Sequence, residues 1–205
     1  MTARDVASLG HFVLRTFLWL PLCFAAWYFL ARHHAAVAGE LARFLVNQFE
    51  SGIVSGLEQQ GVDLIFVTTL QVHPTPDQTG LLVPEVNPLL YTYGLALFLA
   101  LMLAARAKFW KILLGAAALL PFQSWGIAFD FLVQVGIRLG PEIAAQAGLF
   151  GWRREAIALG YQIGSLILPS LMPVVLWAIC SRRFTEGELF KQGAGSNSLP
   201  GTSSP

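Results

Sequence analysis

The sequence predicts an all-α polytopic membrane protein: four transmembrane helices, with an outer amphipathic helix and a β-hairpin between helices 1 and 2. Composition and the length of the apolar runs support this fold class. Hydrophobic residues make up 55% of the chain and charged residues only 12%, whereas a soluble protein carries about 25% charged residues. Mean hydropathy is +0.60. Four runs, at residues 12–31, 88–105, 112–136 and 157–180, approach the ~20 apolar residues that a bilayer-crossing helix needs.

The four runs imply one transmembrane domain, residues 1–183, into which residues 32–87 are inserted as a helix and hairpin outside the membrane. Residues 184–205 are rich in Gly, Ser and Pro, which predicts a mostly disordered tail. The first run is longer than the apolar core of a signal peptide. We therefore expect it to remain as the first helix.

The distribution of basic residues predicts that both termini are cytoplasmic. This arrangement places eight of the 13 Lys and Arg residues on the inner side. The short loop with Arg106, Lys108 and Lys111 weighs most, because short loops dominate the positive-inside rule. Arg153 and Arg154 argue against this orientation, because it places them on the outer side of the membrane. The net charge of +1 provides no basic surplus for nucleic acid.

The insertion shows two periodicities. Apolar residues recur in steps of three and four over residues 35–60, which predicts an amphipathic helix that Gly61 ends. Residues 62–72 alternate and are rich in β-branched side chains, which predicts a strand. Turn formers fill residues 73–80, and residues 81–83 can return as the second arm until Pro84. The insertion is interpreted either as a cap over the bundle or as a docking surface.

One acidic residue lies within a predicted span. Asp130 shares a helical face with Gln123 and Gln134, and Gln162 of the fourth span is a candidate partner. The structural interpretation is interhelical hydrogen bonding, at ~0.6 kcal/mol per bond. The functional interpretation is a proton or cation site lined by Gln123, Asp130 and Gln162, as in a small transporter or proton-coupled channel.

Motifs for catalysis, metals and cofactors are not found. His33 and His34 are adjacent, so their rings diverge on a helix, and no His-x-x-x-His or Cys-x-x-Cys spacing occurs. A membrane-embedded hydrolase would have Cys23 as its nucleophile candidate, but apolar neighbours surround it. We therefore predict no catalytic residue, no metal ligand and no cofactor.

Two segments carry a family resemblance: residues 85–98, Glu-Val-Asn-Pro-Leu-Leu-Tyr-Thr-Tyr-Gly-Leu-Ala-Leu-Phe, and residues 18–28, Leu-Trp-Leu-Pro-Leu-Cys-Phe-Ala-Ala-Trp-Tyr. Together with the overall layout up to about Arg183, they resemble the exosortase H-associated membrane proteins of Gram-negative bacteria. The resemblance implies an accessory protein of the bacterial inner membrane. Its partners would be the lipid bilayer and a polytopic exosortase, a membrane protease or transpeptidase, or that enzyme's sorting-signal substrates.

The resemblance transfers no catalytic residue, because the accessory family has no established reaction. The exosortase itself is expected to use a Cys, an Arg and a His, and this chain lacks that outward-facing constellation. We therefore expect a non-enzymatic accessory subunit that presents substrate. Asn87, Pro88, Tyr91 and Tyr93 are the predicted contact residues, because they place polar and aromatic groups where the outer loop enters the membrane.

Overall fold

The computed structural model describes residues 3–50, 52–75 and 78–181, with side chains described at 10–50, 52–72 and 79–181. The helices are α1 Ala3–Phe49, α2 Leu89–Thr92, α3 Gly94–Ala104, α4 Phe109–Val133, α5 Pro141–Gln146, α6 Trp152–Gln162 and α7 Leu168–Cys180. The strands are β1 Val54–Gln60, β2 Asp63–Thr68, β3 Gln71–Thr75, β4 Gln78–Leu81 and β5 Glu85–Val86. Two π-helical turns, Gln134–Arg138 and Ile163–Ile167, follow α4 and α6 directly. The predicted tail, 184–205, lies outside the described residues.

Helix α1 is a single run of 47 residues that joins the predicted first span to the predicted amphipathic helix. Its buried positions after the span follow helical spacing, at Ala31, Ala35, Ala38, Ala42 and Val46. These small side chains let α4 pack closely along α1, as small residues do between membrane helices. The apolar stripe is therefore the continuation of one long helix.

The predicted end of the amphipathic helix at residue 60 is wrong, because α1 ends at Phe49 and Val54–Gln60 is a strand. Gly52 has φ +83°, a left-handed conformation that turns the chain out of the helix. The Asn47 side chain then donates to the Val54 carbonyl at 3.2 Å and accepts from the Val54 amide at 3.3 Å. Helical periodicity continued past this point in the sequence, but the Asn47 hydrogen bonds redirect the backbone.

The insertion contains two hairpins instead of the single one predicted. Strands β1 and β2 pair antiparallel through a turn at Gly61, φ +67°, and β5 adds to β2, giving the order β1-β2-β5. Strands β3 and β4 form a separate antiparallel pair in which Gln71 faces Leu81. Gly61, predicted to stop a helix, is therefore a hairpin turn. Left-handed glycine suits such a short turn because its twist matches that of the strands.

The three-stranded sheet packs directly on the helices. Leu64 and Phe66 of β2 are fully buried, and the Phe66 ring lies 4.8 Å from the Phe131 ring of α4. A Cβ atom at Gly39 of α1 would lie 2.8 Å from the Leu64 side chain, so a larger residue there would make the leucine side chains of the sheet shift. This contact supplies the apolar support that an isolated hairpin lacks in water.

Three helical runs are long and apolar enough to cross a membrane: Gly10–Phe49, Phe109–Arg138 and Trp152–Cys180. The predicted second span is shorter, an apolar segment Leu89–Ala104 in which a turn at Tyr93 separates α2 from α3. At 1.5 Å per residue, its 16 residues reach about 24 Å, less than the ~30 Å hydrocarbon core.

The chain passes along the bundle four times, and the described ends lie together. Phe12 near the start of α1 stacks on Trp177 near the end of α7, with ring centroids 5.3 Å apart. At the same end, the Lys111 ammonium of α4 donates to the Cys180 carbonyl at 2.6 Å. The sheet lies at the opposite end of the bundle, which we call the sheet end.

Candidate functional site

Asp130 is buried towards the sheet end of α4 and faces a cation. Its side chain is 10% exposed, and Oδ1 lies 3.6 Å from an Arg138 guanidinium nitrogen. Eight residues separate the two, and a regular α-helix would leave them about 80° apart around the axis. The π-helical turn Gln134–Arg138 lies between them. Its i→i+5 winding rotates less per residue, so it brings Arg138 back towards the face of Asp130.

Two tyrosines complete this group. Tyr91 of α2 is 2% exposed, and its side chain lies beside those of Asp130 and of Tyr161 in α6. The Arg138 guanidinium donates to the Tyr161 hydroxyl at 3.4 Å and lies 5.5 Å from the centre of its ring. We call Tyr91, Asp130, Arg138 and Tyr161 the Asp130 cluster. It connects α2, α4 and α6.

Gln134 connects the cluster to the sheet. Its side-chain amide donates to the backbone carbonyl of Glu85 in β5 at 2.9 Å and lies beside the Asp130 side chain. The sequence placed Gln134 on the same face as Asp130, one turn further on, and the structure confirms that placement. The position of strand β5 is thus coupled to the buried carboxylate.

The Tyr91 ring reaches Asp130 because Gly126 has no side chain. A Cβ atom at Gly126 would overlap the Tyr91 ring and would lie 3.1 Å from the Gly164 carbonyl. Gly164 in turn approaches the Gly126 backbone, where a Cβ would lie 3.0 Å from its Cα. The two glycines therefore set the spacing between the helical runs that carry Asp130 and Tyr161.

A second polar group lies about two turns before Asp130 on α4. Gln123 shares a 2.8 Å hydrogen bond with His34 of α1 and donates to the Thr92 carbonyl at 3.3 Å. The adjacent Ser124 hydroxyl donates to the Ala38 carbonyl at 2.9 Å. We call Gln123, His34 and Thr92 the Gln123 bridge. It joins α4 to α1 and to the last residue of α2.

The structure does not bring the three predicted intramembrane polar residues together. Gln123 faces α1, Asp130 faces α2 and α6, and Gln162 is exposed. Among the described residues, no hydrogen bond links Gln162 to Asp130. Gln162 was predicted as a candidate partner of Asp130, but in the structure the neighbouring residue Tyr161 belongs to the cluster instead.

The four predicted contact residues build the entrance to the second apolar segment. Asn87 is exposed, and its side-chain oxygen accepts from the Leu89 amide at 3.0 Å. Pro88 is buried, and its carbonyl accepts from the Thr92 hydroxyl at 3.0 Å. Tyr91 is buried in the Asp130 cluster, and half-buried Tyr93 packs beside Trp27 of α1. Of the four, only Asn87 and Tyr93 have accessible side-chain surface.

Sequence reasoning missed Arg138, Tyr161 and His34. Only glutamines were predicted near Asp130, whereas in the structure Arg138 pairs with it. Residues eight positions apart do not share a face of a regular α-helix, so the sequence does not predict that Asp130 and Arg138 meet. The π turn between them cannot be recognised from the sequence. Tyr91 was singled out for its position at the membrane entrance, while its contact with Asp130 links residues 39 positions apart.

The chemistry of the Asp130 cluster suits a buried polar contact that holds helices together. A carboxylate is costly inside a membrane unless paired, and here guanidinium, phenol and amide groups surround it. Within the described part of the chain, no group of three His, Cys, Asp or Glu side chains gathers as metal ligands would. The cluster holds together α2, α4, α6 and β5.

Comparisons with known proteins identify the family. No curated protein matches the chain, and no solved structure matches it. One family model, described as exosortase H-associated membrane protein, matches residues 6–184. This range contains the long α1 helix, the sheet, the second apolar segment and the Asp130 cluster. The chain therefore belongs to the exosortase H-associated membrane protein family.

Proposed function

We propose that this protein is a non-enzymatic accessory subunit of an exosortase-type protein sorting system in the bacterial inner membrane. Family membership supports the association. The structural observation that carries the proposal is the open face of α1. The first half of this helix packs on α3 along one side and leaves large apolar side chains uncovered, among them Leu18, Leu22 and Phe29, the last 83% exposed.

An uncovered helix face in a membrane accommodates lipid or another helix. We expect a helix there, because the seam between α1 and α3 buries three small residues, Cys23, Ala96 and Ala100, beside the larger Trp27. Small residues let helix backbones approach closely. The exosortase, or the membrane helix of its substrate, would pack beside this seam.

The sheet end would guide the substrate towards the enzyme. Asn87 and Tyr93 lie where the sheet gives way to the second apolar segment, next to the α1–α3 seam. The Asp130 cluster and Gln134 fix this region rigidly to α4 and α6. A rigid outer element beside an open helix face has the arrangement that substrate presentation requires.

The proposed topology has four crossings, with both termini in the cytoplasm and the sheet in the periplasm. Phe12 and Trp177 lie together, which supports an even number of crossings between them. Three long runs account for three crossings, and Leu89–Ala104 would supply the fourth. Its shortness relative to the bilayer is accommodated by local thinning of the membrane.

The alternative of a transporter or proton-coupled channel would rest on Asp130. The contacts with Arg138, Tyr91 and Gln134 give this carboxylate a structural role. The decisive comparison is proton and cation flux in reconstituted vesicles for wild type and Asp130→Asn. Flux in the wild type that the variant abolishes would replace the accessory proposal with transport.

Site-specific photocrosslinking tests the proposed association. A photoreactive amino acid replaces Phe29 on the open face of α1, with Leu166 as the matched control, an exposed apolar residue of the last helical run. We expect the exosortase or its substrate to be captured from position 29 and not from position 166. Equal capture at both positions, or capture of neither protein, would contradict the proposal.

Substrate processing provides the second test. Alanine at Asn87 or Tyr93 should lower processing at unchanged protein levels, because both present surface beside the seam. Gln48→Ala is the control, an exposed side chain at the end of α1 on another face. Unimpaired processing in both variants would remove these residues from the contact surface.

A further inference from the structure

A basic cavity lies at the end of the bundle opposite the sheet. It has a volume of about 450 Å³ and lies where the α3–α4 connection meets the end of α7. Its size falls within the ~300–1,000 Å³ of small-molecule pockets. None of the contacts described above for the Asp130 cluster or the Gln123 bridge involves it.

The cavity is electropositive. Its described lining carries three cations, Arg106, Lys108 and Lys111, and no acidic side chain. The Lys111 ammonium is held by the Cys180 carbonyl at 2.6 Å and lies 5.9 Å from the Trp110 ring centre. Three cations around one cavity repel each other, so an anion that enters lowers the electrostatic free energy of all three.

The backbone around the cavity also favours the binding of an anion. Lys108 precedes α4 in an extended conformation, and no side chain caps the first turn of the helix. The first amides of a helix carry partial positive charge and lack helical acceptors. Arg106 has φ +51°, a left-handed conformation that costs energy for a residue other than glycine. This conformation forms the tight connection that lines the cavity beside the helix start.

The cavity is also flanked by exposed aromatic side chains. Phe109 and Trp110, at the start of α4, are 73% and 58% exposed. Large exposed aromatic residues at the start of an apolar run are typical of the lipid–water interface. A ligand that reaches the three cations there would have its polar group in the cavity and its apolar part beside Phe109 and Trp110.

We propose that this cavity binds the phosphate headgroup of an anionic membrane lipid. The three cations and the uncapped helix amides match the phosphate headgroup, and the flanking aromatic surface matches the acyl chains. Basic pockets between membrane helices on the cytoplasmic side bind anionic headgroups in this way. The bound lipid neutralises the charge on the α3–α4 connection and fixes the end of α7 against α4.

Lipid retention measured by native mass spectrometry tests the proposal. The purified full-length protein is delipidated and titrated with phosphatidylglycerol or with phosphatidylcholine of the same acyl chains. We expect wild type to retain phosphatidylglycerol selectively. Arg106→Gln and Lys108→Gln should each lower that selectivity about fivefold, corresponding to the ~1 kcal/mol that one basic residue contributes near an anionic surface.

Arg154→Gln is the matched control, because it removes the same charge from an exposed position outside the cavity. Its selectivity should equal that of wild type, and a loss as large as that of Lys108→Gln would overturn the proposal. Sodium phosphate and sodium chloride are compared at equal ionic strength. Selective displacement of the lipid by phosphate would assign the cavity to a soluble phosphate and overturn the lipid assignment.

Photocrosslinking of the wild-type protein keeps the test independent of the variants' folding. Phosphatidylglycerol with a photoreactive headgroup should label the segment from Ala105 to Lys111 in vesicles. Labelling spread evenly over both ends of the bundle would contradict a specific site.

Discussion

The Asp130 carboxylate and the Arg138 guanidinium face each other at 3.6 Å across a π-helical turn, one side chain buried and the other half exposed. The buried member depends on its partner, while the exposed member can turn to water. Because of this asymmetry, substituting Arg138 and substituting Asp130 should lower the stability of the protein by different amounts. The asymmetry also separates a structural ion pair from a transport site, where the carboxylate itself would be indispensable.

Arg138→Gln should destabilise the protein more than Asp130→Asn. The first leaves a buried carboxylate with only phenol and amide donors, whereas the second keeps hydrogen bonding and removes the charge. We expect Arg138→Gln to cost about 1 kcal/mol, since partial exposure screens the pair, and to lower Tm by about 3 °C. Thermal unfolding in detergent measures this, with Arg154→Gln as the control. Equal Tm values for Arg138→Gln and Arg154→Gln would refute the pairing.

Gly126→Ala should disrupt the contact between Tyr91 and α4. The new methyl group would overlap the Tyr91 ring and would also lie 3.1 Å from the Gly164 carbonyl oxygen, so it has little room to shift. Overpacking of this kind costs about 1–3 kcal/mol. Gly10→Ala serves as the control, because no neighbouring atom lies within 4 Å of a Cβ there. A Gly126→Ala protein as stable as Gly10→Ala would show that α4 and Tyr91 separate easily.

Asn47→Ala should loosen the sheet from α1. The variant loses both hydrogen bonds to Val54, at roughly 1 kcal/mol each. Hydrogen exchange in β1 and β2 should become faster, while exchange in α4 stays unchanged. Gln48→Ala is the control, because the neighbouring Gln48 side chain is exposed. Unchanged exchange in both strands after Asn47→Ala would mean that sheet packing alone positions β1.

Much of the fold could be predicted from composition and periodicity. The apolar runs identified the long helices, and the change to alternation after Gly61 identified β2. The end of α1 was missed because the apolar residues keep helical spacing through Leu57. The helix nevertheless ends at Phe49, where the Asn47 side chain hydrogen-bonds with the Val54 backbone. One strand was therefore read as helix, although Gly52 offered a local signal for the turn.

The candidate site was predictable only in part. An acid in a membrane span is conspicuous, so Asp130 could be named, and Tyr91 was named for another reason. Their contact spans 39 residues and depends on Gly126 and Gly164 approaching each other, which no short-range pattern encodes. Gln162 and Tyr161 are neighbours on α6, and only the packing of α6 on α4 decides which one faces Asp130.

Cysteine labelling decides between three and four membrane crossings. Ser55 in β1 and Lys108 before α4 are both exposed, and Leu89–Ala104 lies between them. If that segment crosses, Ser55→Cys and Lys108→Cys lie on opposite sides of the membrane. We expect a membrane-impermeant thiol reagent to label Ser55→Cys in spheroplasts. Lys108→Cys should react only after the inner membrane is opened.

The native thiols, Cys23 and Cys180, are buried and half-buried, and the wild-type protein measures their background. Labelling of both introduced cysteines in intact spheroplasts would mean that Leu89–Ala104 does not cross. The chain would then have three crossings, and the proposed four-crossing topology would be wrong. Labelling of Lys108→Cys alone would keep four crossings but reverse the orientation, and would place the sheet in the cytoplasm.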